Sequence, residues 1–355
     1  MMNKIVAIVL SAVVNIGAIA QIESDSLNKD EQEIDDLELG IVGGEEEENL
    51  SIDIFSGTRV INGHSVETLL ENELEFRIEH RFGDVKGGFQ TMFGFDNAAD
   101  IRLGFEYGIT DNLMMGLGRS KGTGRPYRSL IDGFVKYKAL QQRKNGMPIS
   151  MAVLGATSFT YMTASDDLSQ VSSFPNWQHR LAYTVQVVVA KKFGSWLGLS
   201  LSPTMLHRNY VPADDVNTLF ALGTAARISL TPTMGIILEY FHAFRDQPFM
   251  LPGPNNTNTY RNSLGIAFEF VTFGHNFTIN LTNSKGFWET QFIPYTYEDI
   301  DLESSGRQLD LSVNYMQSFD NNIDIGINFN QTQDYNHVND NNSGINLSIV
   351  GQYKW

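Results

Sequence analysis

At 355 residues the chain is longer than an ordinary soluble domain, and without cysteine it can hold no disulfide, thiolate metal site, iron–sulfur cluster or cysteine nucleophile. Its 25 basic and 41 acidic residues leave a formal charge of −16, which argues against a surface that works by tracking phosphates; nucleic acid is not an expected partner. The 23 Phe, 13 Tyr, 4 Trp and 31 Gly against only 10 Pro favour strands, and a mean hydropathy of −0.18 does not exclude a membrane barrel, whose strands alternate apolar and polar residues.

Residues 1–20 read as a cleaved secretory signal peptide: Lys4, then an apolar run from Ile5 to Ile19 broken by Ser11, Asn15 and Gly17, closing on Ala18-Ile19-Ala20. The run is too short and too interrupted for a spanning helix. Between Glu23 and Glu48 twelve acidic residues stand against Lys29, a net of −11, so 21–50 is expected to be a disordered acidic leader. It reads either as a solubilising segment or as a docking site for a basic partner. Residues 51–71 follow, with two glycines, the Val60-Ile61 pair and polar Arg59, Asn62, His64 and Ser65. This segment is the natural candidate for a plug or hatch.

From Asn72 to Trp355 the dominant signal has a period of two, as a strand with one apolar and one polar face requires. Fourteen such segments are legible: 72–82, 99–108, 113–121, 129–139, 149–164, 177–192, 196–207, 217–230, 234–244, 260–271, 275–283, 307–319, 323–333 and 343–355. Their links alternate between tight turns, such as Thr231-Pro232-Thr233, and long loops, such as 284–306. The last strand carries Tyr353 and Trp355 on its apolar face, an aromatic ending of the kind that serves outer-membrane barrels as an assembly signal. The expected fold for 72–355 is therefore an all-β, transmembrane, antiparallel up-and-down barrel of about 14 strands in the outer membrane, with both termini periplasmic. The competing reading is a secreted sandwich, in which the apolar face would be a core.

In a barrel the polar parity lines the lumen. Glu75, Glu79, Glu106, Asp132, Glu239, Glu269, Asp310 and Asp324 are expected inside, as are Arg77, Arg81, Arg102, Lys136, Lys138, Arg180, Arg227 and Lys354. Eight acids against eight bases give no ion preference. Nine of the sixteen form an ionic wall on the first, second and fourth strands: Glu75, Arg77, Glu79, Arg81, Arg102, Glu106, Asp132, Lys136 and Lys138. Strands eleven to fourteen present Asn, Thr, Ser and Gln instead. Two readings follow. The wall orients polar solutes at a constriction, or its members pair with one another to fill a tight interior.

Neither catalysis nor a metal is expected. Of the seven histidines, His80, His207 and His242 fall on the lipid-facing parity, no Ser–His constellation stands out, and no HExxH or calcium-loop pattern exists. No cofactor is implied.

The chain resembles a family of outer-membrane β-barrel proteins of unknown function from Bacteroidetes. The resemblance rests on Gly57–Thr68 (GTRVINGHSVET), Arg77–Gly83 (RIEHRFG), Gly104–Leu113 (GFEYGITDNL), Gly116–Ser120 (GLGRS), Asp132–Lys138 (DGFVKYK) and Asn276–Gly286 (NFTINLTNSKG). It covers most of 55–290 and implies fold and location, with no catalytic residue or substrate to carry over. The chain departs from the pattern after about Pro294 and in its leader. The expected function is a passive channel or transporter for small polar solutes; the alternative is a non-catalytic accessory subunit of a larger outer-membrane complex. The expected partners are outer-membrane lipid, the barrel-assembly machinery and an outer-membrane protein docked on the acidic leader.

Overall fold

The computed structural model of the protein describes residues 50–96, 100–122, 127–212, 215–245, 260–272, 275–296, 310–319, 326–330 and 346–350. Residues 1–20, expected to be a signal peptide, residues 21–49 of the expected leader, and Asp324, His337, Tyr353, Lys354 and Trp355 lie outside the described residues.

Strands form where the period of two runs. They are β1 (Leu74–Asp84), β2 (Asp100–Thr110), β3 (Leu113–Lys121), β4 (Leu130–Leu140), β5 (Ser150–Thr160) and β6 (Leu181–Phe193). After these come β7 (Leu197–Arg208), β8 (Thr218–Thr231), β9 (Met234–Phe244), β10 (Ser263–Thr272), β11 (His275–Thr282) and β12 (Asp310–Phe319). Each is antiparallel to the next, and β12 also pairs with β1 from Leu74↔Phe319 to Arg81↔Ser312, so the sheet closes on itself. Closure gives each of these twelve strands two neighbours, so the ring itself has no edge strand, which is what a lipid environment demands.

Two further strands, β13 (Gly326–Asn330) and β14 (Asn346–Val350), pair with each other in a separate two-stranded sheet. Among the described residues the ring thus holds twelve strands, where the sequence pattern leads one to expect about fourteen. The alternation is present in the last two segments, but the edge of β1 that a fourteenth strand would need is taken by β12.

Within the ring the usual distribution of polarity is inverted. Leu103, Phe105, Tyr107, Leu117, Ile131, Val135 and Tyr137 are exposed, while Arg102, Glu106, Asp132 and Lys136 between them are buried. Such an apolar outer band suits lipid and not water, and that removes the sandwich reading, in which the apolar parity would be the covered one. Short links join β2 to β3, β6 to β7 and β8 to β9 at one end, which also carries the longer β4–β5 link (141–149), and the β1–β2, β3–β4, β5–β6, β7–β8, β9–β10 and β11–β12 connections lie at the other. No described helix is long and apolar enough to cross a membrane. Leu50–Ile52 and Arg143–Gly146 make a small compact unit in which Ser51 bridges Arg143 and the Lys144 N–H donates to Leu50 O at 3.2 Å.

Candidate functional site

The inward parity of β1 sets Glu75, Arg77, Glu79 and Arg81 in one buried row, to which β2 adds Arg102 and Glu106 and β4 adds Asp132 and Lys136. Register decides who meets whom. Glu79 lies opposite Arg102, whose Nη1 donates to Glu79 Oε2 at 2.8 Å. The same guanidinium reaches past β3 to Asp132 in a two-pronged contact, Nε to Oδ2 at 3.0 Å and Nη2 to Oδ1 at 2.6 Å. That reach depends on Gly118, which stands on β3 beside Asp132; a Cβ there would sit 2.4 Å from Arg102 Nη2 and 2.5 Å from Asp132 Oδ1.

Glu75 and Glu106 also stand directly opposite each other, a like-charge pair that is unfavourable unless cations join it. Arg77 supplies one, with Nη2 2.8 Å from Glu75 Oε1 and Nε 3.6 Å from Glu106 Oε1. The rest comes from the N-terminal segment, which runs inside the ring before β1. There the Thr58 hydroxyl donates to Glu106 Oε2 at 2.7 Å, and Arg59 Nε lies 3.8 Å from Glu106 Oε1. Lys136 Nζ donates to the carbonyls of Thr58 and Ser65 at 2.9 and 3.3 Å.

The segment is a small hairpin. Ser65 N–H donates to Thr58 O at 3.0 Å, Arg59 bridges His64, and Val60 N–H closes the turn on Gly63 O at 2.9 Å. At its tip the N–H groups of Ile61, Asn62 and Gly63 converge on the Glu239 carboxylate of β9, at 2.9 to 3.1 Å. Asn62 Oδ1 accepts from Arg81 Nη2. The other face of the segment is apolar: Ile54, Phe55, Val60, Ile61 and Val66 cluster with the inward Ala152, Val188, Ala190, Ile237 and Ala267. The small inward residues of β5, β6 and β10 leave room for it. At Gly198 the fit is close, since a Cβ would meet Ile54 O at 2.8 Å. Further back, Glu67 caps the Ile54 N–H at 2.9 Å and pairs with half-buried Lys138 at 3.3 Å.

A second element fills the lumen from the long-loop end. The β11–β12 connection falls in the long loop 284–306, and Phe287, Trp288, Glu289, Phe292 and Ile293 are fully buried around its helical turn Glu289–Phe292. The two inserts meet. Trp288 lies beneath two guanidinium groups, Arg59 at 4.7 Å and Arg102 at 5.0 Å from its ring, and Phe287 lies beneath Arg81 at 4.9 Å. Glu289 Oε1 sits 3.6 Å from Arg59 Nη1 and 3.7 Å from His64 Nε2, and the His64 ring packs edge-on to Phe134 at 4.5 Å. Burial, with Arg59, Lys136, Arg77 and Arg102 around it, holds the His64 imidazole well below its usual range. Burial pushes the Glu289 carboxyl up to about 7, against the opposing pull of Arg59.

Of the sixteen charges expected inside, Arg227, Glu239 and Glu269 are also buried on the facing wall, where Arg227 Nε donates to Glu269 Oε2 at 2.7 Å. Arg180 is placed differently: β6 begins one residue later, and Arg180 ends a short 3-10 turn, donating to Thr160 O and Met162 O at 3.1 and 2.7 Å. Asp310 opens β12 opposite Thr282 and Asp84. Two participants escaped the sequence reading. In the sequence Glu239 is one inward acid among eight, and Phe287–Ile293 is part of a long loop whose only signal is that four of its seven residues are large and apolar. Among the described residues no group of three or more His, Asp or Glu could hold a metal ion.

No curated protein matches the chain. Among solved structures it is similar to a KdgM porin in complex with disordered oligogalacturonate, at 9% identity over 70% of this chain and 99% of that one, with a TM-score of 0.41. An outer membrane channel from Pseudomonas putida F1 gives 10%, 72%, 98% and 0.40. LpxR from Salmonella typhimurium gives 10%, 70%, 99% and 0.34. Likeness at this level says nothing of what passes, binds or reacts here. Residues 55–307 match a family described as "Membrane bound beta barrel domain (DUF5777)", a span that takes in the inner hairpin, the ionic wall and β1 to β11; the chain belongs to that family.

Proposed function

We propose that the protein is an outer-membrane channel for small polar solutes whose lumen is closed by its own N-terminal segment, with residues 51–71 acting as the plug. The observation that carries this reading is the docking of the hairpin tip, three backbone N–H groups on Glu239, opposite an ionic wall that takes Thr58 and Arg59. Backbone-to-carboxylate contacts and ion pairs at 3.6 to 3.8 Å can be exchanged for water, and the apolar face of the segment rests mainly on small inward residues, Ala152, Ala190 and Ala267, which leave it separable from the wall. The ring lies in the outer membrane with its short turns and both termini periplasmic, so the plug enters from the periplasm. A variant lacking residues 21–71, reconstituted in planar bilayers, is expected to conduct more than the intact chain and to let sugars or amino acids swell liposomes. An unchanged conductance removes the plug.

A second reading is favoured by the depth of the filling: Trp288, Phe292 and Ile293 bury apolar bulk where a pore would be wet. In that case the barrel is a closed accessory subunit, non-catalytic, recruited through the acidic leader. Stoichiometric co-purification of a partner from mild detergent, lost when residues 21–50 are deleted, distinguishes it from the channel.

A further inference from the structure

The β1–β2 connection carries an apolar face that the lumen does not use. From Gly87 to Phe95 it has no charged residue (GGFQTMFGF), and its large side chains are exposed: Phe89 by 81%, Phe93 by 52%, Met92 by 50% and Phe95 by 45%. A connection bathed in water would not display four such groups in seven residues. The β5–β6 connection also exposes Leu168 and Trp177, but these stand apart in a polar stretch where Asp167 and Ser169 are exposed and hydrogen-bonded to each other, and they form no run. Nor is the β1–β2 segment shapeless. The Phe95 N–H donates to Met92 O and the Asp96 N–H to Thr91 O, both at 3.2 Å.

Its position says what covers it. Phe95 packs on Phe82 at 4.9 Å between ring centres, and Phe82 stacks on His80 at 5.7 Å. Phe82 and His80 belong to the outward parity of β1, since Glu79 and Arg81, which alternate with them, are buried inward. The connection therefore folds back over the outer surface beside β1 and β12 and prolongs the lipid-facing band beyond the strand ends. An uncharged segment with exposed Phe and Met beside amide and hydroxyl groups (Gln90, Thr91) has the chemistry of a membrane interface. We propose that Gly87–Phe95 is a lipid-inserted wedge, with Phe89, Met92 and Phe93 in the acyl-chain boundary of the leaflet at the long-loop end. Its occupant is lipid, through continuity with the band, and not a second copy of the chain.

The absence of cysteine makes the test direct, because a single introduced thiol can be labelled without background. Full-length Phe93→Cys and Phe89→Cys, with Asp167→Cys as the reference in water, are labelled with an environment-sensitive fluorophore and reconstituted in phosphatidylcholine vesicles. Folding of each is checked by heat-dependent gel migration, so one failed variant leaves the other to decide. The expected result is emission at shorter wavelength from positions 89 and 93 than from 167, with loss of intensity to nitroxide-bearing lipid and none to aqueous iodide. Equal iodide quenching at all three positions overturns the proposal. So does shielding from both quenchers that weakens as the protein is diluted in lipid, which would make the face a contact between copies.

Discussion

The Glu239 carboxylate accepts the Gly63 N–H at 2.9 Å, fastening the tip of a hairpin to β9, the strand that faces β3 across the ring of twelve. Two neighbouring N–H groups share the same carboxylate, so one side chain holds the turn. Hydrogen bonds to a charged acceptor are worth about 1.5–3 kcal/mol each. Since three donors share one group, a total of about 3 kcal/mol is a sensible scale, or roughly a 100-fold shift in occupancy. Glu239→Ala is expected to raise the open probability in single-channel recordings by that order, and Glu239→Gln, which keeps an acceptor oxygen, by less. Equal behaviour of both variants and the intact chain would mean the tip does not hold the lumen closed.

Gly118 tests the ionic wall. Gly118→Ala pushes a methyl group into the Arg102–Asp132 pair, both members of which are buried. Breaking a buried pair costs about 3–5 kcal/mol. Unfolding by urea in detergent micelles should move to clearly lower concentration. Gly155→Ala is the control, since nothing lies within 4 Å of a Cβ there, and it should be neutral. Matching midpoints for the two variants would contradict the wall's tight packing.

Trp288 and Arg59 join the two inserts. A desolvated cation–π contact is worth about 2 kcal/mol. Arg59→Met and Trp288→Phe should each loosen the closed state, and the double variant should loosen it by less than the sum, because both remove one contact. Additive effects on open probability would show that hairpin and loop act independently.

His64 and Glu289 give opposite pH responses, and single variants separate them. With His64→Gln, Glu289 remains, its carboxyl raised from 4.5 to about 7 while buried. The closed state then binds the extra proton, so its advantage is complete below about 4.5 and is lost as pH rises to about 7. Opening should increase with pH across that window. With Glu289→Gln, His64 remains, lowered from 6.5. The released state then binds the extra proton, so the closed state keeps its advantage above 6.5 and loses it as pH falls. Opening should increase toward acid. Recordings of both variants from pH 4.5 to 8 check the slopes, and slopes of the same sign would refute the shared buried site.

Much of this was legible in the sequence because a strand's alternation is local. Arg102, Gly104 and Glu106 point one way and Leu103 and Phe105 the other, whatever the neighbours do. The hairpin was also marked in advance, since polar Arg59, Asn62, His64 and Ser65 beside Val60-Ile61 suit a segment with one ionic and one apolar side. What stayed hidden depends on partners distant in the chain. The closure partner of β1 is set by competition among strands of like pattern, and nothing in 326–330 or 346–350 declares that these two pair with each other. The role of Glu239 is likewise written 176 residues away, in a turn whose free amides have no side-chain signature.

Because the hairpin runs without a break into β1, release does not mean loss. The segment stays leashed at Leu74, a few residues from its seat, and a tether that short keeps its local concentration on the order of millimolar. It therefore behaves as a built-in competitor for the lumen. A solute that holds the channel open has to outbid that concentration by abundance or by affinity, while a partner that grips the free end of the chain could draw the segment out by leverage with no solute at all.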